Sequence, residues 1–223
     1  MKIVITGAGR GLGLELTTQA LHQVDTVMAT AREPEKSEGL NALLKKFPAT
    51  LQIVKVDITA ADAPKRIASA IDSWDCLDVV INNAGILREG MTLDDFQQSF
   101  HVNSVAPLFI TKALFAKLRK SKHPRAIHIS SLMGSIDDNS SGGHYAYRAS
   151  KTALNMINKC LAVEETWLTS TVFHPGWVQT DMGGSNAPTS VQESAAGLLN
   201  AMDNVEKEDS GCFYDFRGDK IAW

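Results

Sequence analysis

The sequence predicts an α/β protein: a single domain in which a parallel sheet of about seven strands is doubly wound, with helices on both faces. Two observations predict this class. Short strand-like runs alternate with helical patterns along all 223 residues. In addition, the run at 77–81 is nearly continuously apolar, which is typical of a strand covered on both faces. We see no repeat or linker, so one domain over residues 1–223 is expected.

The first half of the chain predicts four strands, at residues 3–5, 26–29, 51–56 and 77–81. The helix after the second strand is predicted over Glu33 to Lys46. Thr59 is the predicted N-cap of the helix that follows the third strand. A long helical region is predicted from roughly Thr92 to Lys120, opened by a capping box of Thr92 and Asp95.

The second half predicts three further strands, at residues 126–130, 169–173 and 211–215. Between the first two of these, a helix that contains Tyr147 and Lys151 continues to about Glu165. Ser190 and Glu193 form a second predicted capping box, which opens the last helix. We expect residues 1–90, roughly, to form a nucleotide-binding half and residues 91–223 a catalytic half.

Composition and charge exclude several function classes. The net charge is −3 and there is no long basic run, which argues against nucleic-acid and membrane partners. The three cysteines are far apart and show no metal-ligand spacing. The chain opens with a strand and not with an apolar targeting segment, and no run approaches the ~20 apolar residues of a membrane span. We therefore expect a cytoplasmic protein with no metal site.

A glycine-rich turn follows the first strand, at Thr6 to Gly13. It reads T-G-x-x-x-G-x-G and lacks the last glycine of the common G-x-G-x-x-G pattern. Small residues let the backbone approach a pyrophosphate, which the positive end of the following helix then holds. The turn therefore predicts a dinucleotide site.

The end of the second strand indicates which dinucleotide binds. NAD-binding sheets usually carry an acid there, which accepts from the ribose 2′-hydroxyl. This strand ends in Ala31 and Arg32, with no acid until Glu33. Arg32 and Arg10 could converge on a 2′-phosphate, which guanidinium groups bind well. NADP(H) is therefore favoured over NAD(H).

Tyr147 and Lys151 are four residues apart and lie on one face of the predicted helix. Because a nearby cation favours the phenolate, we expect Lys151 to lower the pKa of Tyr147 and make it a better proton donor near neutral pH. Tyr145, six residues from Lys151, lies on a different face. Alone, such a pair is more often incidental on a solvated helix.

Other polar residues follow the predicted strands. Asn82 to Gly85 ends a buried strand, where open α/β sheets bind ligands. Asn103 lies in a helical pattern and needs a buried partner or a kink. Ser130 and Ser131 close the fifth strand and point to opposite faces, so the residues alone do not choose between them.

Together these motifs resemble the short-chain dehydrogenase/reductase family over essentially the whole chain. The resemblance rests on Thr6-Gly7-x-x-x-Gly11-x-Gly13, Asn82-Asn83-Ala84-Gly85, Asn103, Ser131, Tyr147-x-x-x-Lys151 and Pro175-Gly176, in the family's order. Within the family the chain is most similar to the compact C-factor and sniffer-type carbonyl reductases, in residues 29–36, 174–184 and 211–223. The resemblance implies a Rossmann fold.

The resemblance also implies roles. Tyr147 would be the catalytic acid in reduction and the base in oxidation, and Lys151 would lower its pKa and bind the nicotinamide ribose. Ser131, which the family pattern selects, would hold the substrate oxygen, and Asn103 would place a water that links Lys151 to solvent. Asp57 would meet the adenine. The implied cofactor-binding residues are Gly7, Gly9, Arg10, Gly11, Leu12, Gly13, Arg32, Asp57, Ile58, Asn83, Ala84, Gly85, Tyr147, Lys151, Pro175, Gly176, Val178 and Thr180.

The predicted function is transfer of a hydride between NADP(H) and a small carbonyl or alcohol substrate. Residues 181–188 form a short, small-residue-rich segment where the family covers its substrate, which predicts an open pocket and loose substrate choice. The alternative is an NADP(H)-binding regulatory or signalling protein on the same fold. A sugar-nucleotide epimerase is disfavoured, because too few residues follow Thr180 for a separate substrate domain. The long helices near residues 103–120 and 147–165 suit either a homodimer face or packing on the sheet.

Overall fold

A seven-stranded parallel sheet forms the centre of the protein in the computed structural model, which describes residues 1–23 and 26–223. The strands in this described part are β1 (Lys2–Ile5), β2 (Thr26–Ala31), β3 (Leu51–Lys55), β4 (Val79–Asn82), β5 (Arg125–Ile129), β6 (Thr169–His174) and β7 (Phe213–Asp215). Their order is β3-β2-β1-β4-β5-β6-β7, and every neighbouring pair is parallel. The predicted fold class is confirmed.

Helices cover both faces of this sheet. They are α1 (Gly11–His22), α2 (Glu38–Lys46), α3 (Ala63–Ala70), α4 (Leu93–Phe100), α5 (Ala106–Ala113), α6 (Phe115–Leu118), α7 (Tyr145–Glu164) and α8 (Val191–Asp203). Helices α1, α2 and α8 pack on one face. Helices α3, α5 and α6 pack on the other, together with α7.

The strand period of two divides the core between these faces. Ile3 and Ile5 point to the α1 face and pack in one cluster with Leu16. Val4, between them, points to the other face and packs with Ile110. All five side chains are fully buried or nearly so, and each stabilises the fold by about 2 kcal/mol relative to an exposed position.

Two helix starts differ from the prediction. The helix expected from Glu33 is wrong in its first turn, because Pro34–Lys36 forms a 3-10 segment and α2 begins only after Ser37. Ser37 caps α2 by accepting from the Leu40 N–H. The prediction of Thr59 as an N-cap is also wrong. Asp62 occupies that position in α3, whose first turn contains a proline, and the Thr59 hydroxyl instead donates to Asp57 Oδ1 at 2.7 Å.

The region expected to be helical from Thr92 to Lys120 is interrupted. Its capping box of Thr92 and Asp95 is confirmed, with both reciprocal bonds present. After α4, however, residues His101–Val105 form a π-helix, and Leu114 separates α5 from α6. At the last helix, within the described residues, only half of the predicted capping box forms: Ser190 Oγ accepts from the Glu193 N–H at 3.0 Å, but the Glu193 side chain makes no return bond to the Ser190 N–H.

The strand order places the candidate site. Neighbouring strands β1 and β4 are followed by helices on opposite faces, α1 on one and α4 on the other, so a crevice opens at their carboxyl ends. The segments that follow β1, β4, β5 and β6 all begin at the carboxyl ends of these strands and so lie beside the crevice. Among residues 1–23 and 26–223, no helix has the length and apolar character needed to cross a membrane.

Candidate active site

The glycine turn after β1 packs directly against the turn after β4. Gly7 has φ +69°, and a Cβ there would lie 2.8 Å from Ala84 Cα. A Cβ on Gly13 would lie 2.3 Å from the Gly7 oxygen, so both positions require glycine. Asn83 Nδ2 donates to the oxygens of Thr6 (2.9 Å) and Gly7 (3.2 Å). The Thr6 hydroxyl accepts in return from the Asn83 and Ala84 N–H groups, both at 3.1 Å.

The first turn of α1 is open to a ligand. Arg10 occupies its N-cap position, and within the described residues no side chain caps it and no acid lies in its first turn. Gly11 has φ +53°, and the nearest atom to a Cβ there is Thr180 Cγ2, at 3.4 Å. Leu12 packs away from the crevice, against the α1-face core. Free N–H groups at a helix start suit an anion such as a pyrophosphate, so the turn fits a dinucleotide.

Arg10 and Arg32 begin from neighbouring points of the backbone. A Cβ on Gly9 would lie 3.3 Å from Ala31 Cβ, so the glycine turn contacts the end of β2. Arg10 follows Gly9 and Arg32 follows Ala31, so the backbones of the two arginines start close together. Ser37 supports this contact by donating from its hydroxyl to the Gly9 oxygen.

The two guanidinium groups nevertheless have different partners. Arg32 is exposed and lies near Asp57. Hydrogen bonds from Thr59 are the main cause that lowers the pKa of Asp57, and the positive charge of Arg32 adds a smaller effect. Arg10 forms an exposed ion pair with Asp181 Oδ2 at 2.7 Å. The structure thus brings Arg10 to Asp181, a residue that sequence reasoning missed because an exposed loop aspartate carries no distinguishing pattern. Ile58, next to Asp57, packs against the core of the α3 face.

Tyr147 is the buried tyrosine of α7. Its side chain is 8% exposed, whereas that of Tyr145 is 57% exposed. The Ser131 hydroxyl hydrogen-bonds Tyr147. Ser130 points to the other side and donates to Asn155 Oδ1 at 2.7 Å. The structure therefore brings Ser131, and not Ser130, to the tyrosine.

Lys151 lies one helical turn after Tyr147 and is buried. Its Nζ is 5.8 Å from the centre of the Tyr147 ring and donates to the main-chain oxygen of Ile129 at 2.8 Å. Burial lowers the pKa of Lys151 to about 8, so the ammonium form still predominates at neutral pH.

The expected lowering of the Tyr147 pKa is wrong for this structure. Burial raises the pKa of Tyr147, and the hydrogen bond from Ser131 opposes that rise only in part. The physical reason is desolvation: the phenolate would lose its hydration in this enclosed site. The arrangement keeps Tyr147 protonated, which suits a proton donor.

Asn103 lies in the π-helix and has the buried partners that the sequence required. Its Nδ2 donates to the Ile86 oxygen at 2.9 Å and to Ser150 Oγ at 3.0 Å, and its Oδ1 accepts from the Ile86 N–H at 2.9 Å. A Cβ on Gly85 would lie 3.3 Å from Asn103 Oδ1 and 3.5 Å from Lys151 Nζ. The chain after β4 therefore passes between Asn103 and Lys151. Ser150 was missed, although its position beside Lys151 was a usable signal.

The segment after β6 forms a small closed loop opposite the glycine turn. Gly176 has φ +85°, and the Pro175 oxygen accepts from Ser194 Oγ at 2.6 Å. Val178 pairs with Thr189, and the Gly183 N–H donates to Thr180 Oγ1 at 3.1 Å. Between this loop and the glycine turn lies an open cavity of about 490 Å³, lined by Arg10, Gly11, Gln179, Thr180, Asp181, Gly184 and Ser185. The cavity continues the crevice toward solvent.

A buried chain of polar side chains lies beneath the site. Asn82 Nδ2 contacts His128 Nδ1 at 3.2 Å, and His128 Nε2 contacts Ser170 Oγ at 3.4 Å. Ser170 Oγ donates to Asn158 Oδ1 at 2.8 Å. Because Asn82 Nδ2 can only donate, His128 Nδ1 accepts, and because the Ser170 hydroxyl donates to Asn158, His128 Nε2 donates to Ser170. His128 is therefore neutral, with its proton on Nε2. Burial, with a smaller effect of the Lys151 charge, lowers the pKa of His128 to about 3.

Comparison with known proteins agrees with this geometry. The sequence model described as short chain dehydrogenase matches residues 1–190. The chain belongs to the short-chain dehydrogenase/reductase family. Among the residues that the structure describes, no group of three or more His, Cys, Asp or Glu side chains could hold a metal ion.

Two curated relatives illustrate the range of this family. C-signal of Myxococcus xanthus is 39% identical over 155 residues, which cover 66% of this chain and 93% of the relative. The short chain dehydrogenase gsfK of Penicillium aethiopicum is 33% identical over 252 residues, which cover 99% of this chain and 98% of the relative.

Solved carbonyl reductases have the same fold. The carbonyl reductase Sniffer of D. melanogaster superposes with a TM-score of 0.96 at 31% identity, covering 100% of this chain and 99% of that one. The NADPH-bound carbonyl reductase from chicken fatty liver superposes with a TM-score of 0.92 at 33% identity, covering 100% and 98%.

Proposed function

We propose that this short-chain dehydrogenase/reductase is an NADP(H)-dependent oxidoreductase that reduces a small aldehyde or ketone, or oxidises the matching alcohol. The observation that carries the proposal is the buried Tyr147, hydrogen-bonded by Ser131 and one helical turn before the ammonium of Lys151. These three groups lie where a doubly wound sheet binds its ligands. The two chain halves then have separate tasks: residues 1–90, roughly, bind the nucleotide, and residues 91–223 perform the chemistry.

The residues present fit a dinucleotide. The uncapped start of α1 and the glycine positions of the turn suit the pyrophosphate. Arg32, exposed beyond β2, suits a 2′-phosphate, and the NADPH-bound chicken reductase supports this choice. Arg10 would also bind the 2′-phosphate, after its ion pair with Asp181 breaks. When bound, the cofactor supplies the hydride, and the protein supplies orientation and the proton.

Tyr147 and Ser131 would act on the carbonyl oxygen. As hydride addition builds negative charge on that oxygen, the Ser131 hydroxyl donates a hydrogen bond and Tyr147 transfers its phenolic proton. Burial raises the pKa of Tyr147 and thereby keeps this proton in place until the substrate oxygen becomes basic. In alcohol oxidation the same groups act in reverse.

Lys151 and Asn103 would support the proton transfer. The Lys151 ammonium lies on the same helix face as Tyr147 and stabilises the phenolate left after transfer. Asn103, fixed by Ile86 and Ser150, holds the backbone of the π-helix beside Gly85, where a water could link Lys151 to solvent. The loop at residues 181–188 is short and borders an open cavity, which supports loose substrate choice.

The test is oxidation of NADPH by the purified protein against a panel of aldehydes, ketones and quinones, with NADH as the control. We expect turnover of several carbonyls with NADPH and weaker turnover with NADH. Absence of turnover across the panel would overturn the proposal of an enzyme, and faster turnover with NADH would overturn the choice of cofactor.

A second candidate function has one observation in its favour. C-signal, by its name, points to a signalling role on a related chain. In that case the protein would bind NADPH and show no turnover with any carbonyl. The presence of Asn103, Ser131, Tyr147 and Lys151 in one buried site argues for the enzyme, because a binding protein has no need of a proton donor.

A further inference from the structure

The tail segment, residues 220–223, folds back along the edge strand β7. Lys220 pairs with Tyr214 in an antiparallel bridge, and the Ile221 N–H donates to the Phe213 oxygen at 2.8 Å. The Trp223 ring stacks on Phe213, with ring centres 5.7 Å apart and an interplanar angle of 23°. The tail segment therefore has a fixed position on the sheet.

From there the tail segment reaches the chain that leaves β5. Ser135 Oγ donates to the Ala222 oxygen at 2.8 Å, and the Asp137 N–H donates to the Trp223 main-chain oxygen at 2.9 Å. Ser135 Oγ also accepts from the Asp138 N–H at 3.1 Å. Ser135 is 2% exposed, so its hydroxyl is shielded from water, and the hydroxyl proton is left without an acceptor if the tail segment moves away.

Ser135 ends the 3-10 turn Leu132–Gly134, which Ser131 begins. The Gly134 N–H donates to the Ser131 oxygen at 2.8 Å, and the Met133 N–H donates to Ser131 Oγ at 3.2 Å. On its other side, the Gly134 oxygen accepts from Thr152 Oγ1 of α7 at 2.9 Å. The turn that carries Ser131 is thus held by α7 on one side and by the tail segment on the other.

The chain between β5 and α7 is also held at its far end, just before α7. Gly142, Gly143 and His144 all have positive φ, the conformation of a chain that reverses sharply before α7. Arg148 holds that end by donating to the Gly142 oxygen at 3.1 Å. The opposite end, next to Ser131, is held by Thr152 and Asn155 of α7, which donate to the Gly134 oxygen, and on its other side by the tail segment through Ser135.

We propose that the tail segment, acting through Ser135, positions the Ser131 hydroxyl for its hydrogen bond to the substrate oxygen. Ser135 and Trp223 are then positioning residues that touch neither substrate nor cofactor. This inference rests on the proposed function, because it assigns a purpose to Ser131. Catalytic hydrogen bonds are sensitive to small displacements, so loosening the turn lowers the rate of the chemical step more than it changes cofactor binding.

The experiment compares Ser135→Ala and Trp223→Ala with the wild-type chain. We expect each to lower kcat for carbonyl reduction about tenfold, while the Kd for NADPH, from fluorescence titration, stays within about twofold. Trp223→Phe, which keeps a ring to stack on Phe213, restores most of the lost kcat. Ser140→Ala, an exposed serine five residues beyond Ser135, is the matched control and leaves kcat unchanged.

Two further measurements separate positioning from general damage. In a Ser131→Ala background, Ser135→Ala should reduce kcat by less than about twofold, since the hydroxyl that it positions is gone; a full tenfold further loss would overturn the inference. Amide hydrogen exchange in residues 131–138 should become faster in Ser135→Ala and Trp223→Ala, and unchanged exchange would overturn the inference whatever the activity. If the wild-type chain shows no turnover, the proposed function fails, and the exchange measurement still decides whether the tail segment controls this turn.

Discussion

The ammonium of Lys151 lies 5.8 Å from the centre of the Tyr147 ring and donates to the main-chain oxygen of Ile129 at 2.8 Å. The cation is therefore anchored to β5, near the phenol but directed to a backbone acceptor. Burial acts on both groups, raising the pKa of Tyr147 and lowering that of Lys151 to about 8. Each shift disfavours the charged form of its group, so the site holds its proton until a reaction develops charge.

Replacing Tyr147 by Phe should abolish turnover and leave cofactor binding intact. The substitution removes the proton donor while keeping the ring, and loss of general acid catalysis costs about 10²- to 10⁴-fold in rate. Steady-state kinetics and NADPH titration measure the two effects. Tyr145→Phe, the same change at an exposed tyrosine of the same helix, is the matched control and should be nearly silent. Retained activity in Tyr147→Phe would mean that another group is the acid.

Lys151 should make the folding stability depend on alkaline pH. Its pKa falls from 10.5 in the unfolded chain to about 8 in the folded protein, so between these values the unfolded chain binds more protons. The contribution of Lys151 to stability is therefore lost as pH falls through about 8 and fully present only above 10.5. Relative to Lys151→Met, the free energy of unfolding of the wild-type chain should rise by roughly 2 kcal/mol between pH ~7 and pH ~9.5. Urea unfolding of both proteins measures this difference, and parallel pH profiles would contradict the low pKa.

Arg32→Asp should shift cofactor preference toward NADH. The change removes a cation that suits the 2′-phosphate and adds an acid that can accept from a 2′-hydroxyl. We expect the NADPH/NADH ratio of kcat/KM to fall by about 10- to 100-fold, as for loss of a charged hydrogen bond. Lys122→Asp makes the same charge change at an exposed position just before β5, at the amino ends of the strands and away from the crevice. It should leave the ratio unchanged. An unaltered ratio in Arg32→Asp would remove the basis for choosing NADP(H).

His128 should limit stability in acid. Its pKa is about 3 in the folded protein and 6.5 when unfolded, so the stability it contributes is present above pH 6.5 and is lost as pH falls toward 3. Between pH ~6.5 and pH ~5 the loss is roughly 2 kcal/mol. His128→Gln should flatten the acid side of the stability profile, although it lowers stability at neutral pH by disturbing the polar chain. His123→Gln, at an exposed histidine, should keep the wild-type slope, and an equally steep slope in His128→Gln would refute the assignment.

Much of the architecture follows from local pattern. The alternation of strands and helices predicted the doubly wound sheet, since a parallel strand covered on both faces needs an apolar run such as Val79 to Ile81 in β4. The capping box at Thr92 was readable because its hydrogen bonds join residues only three positions apart. Local pattern placed the starts of α2 and α3 wrongly. Several polar residues near each start can serve as the N-cap, and the pattern alone did not select Ser37 and Asp62.

By itself, the sequence determined the fold class, the family and the residue types of the site, because these depend on short-range spacing and on the order of motifs. The residues alone did not choose between Ser130 and Ser131; the family pattern selected Ser131, and the tertiary structure places it beside Tyr147. Only the tertiary structure decided that Arg10 pairs with Asp181 and that a π-helix carries Asn103. It also reversed the expected shift in the pKa of Tyr147. The physical reason is that desolvation and long-range hydrogen bonding depend on atoms brought together by folding, and the spacing of Tyr147 and Lys151 along a helix carries no information about them.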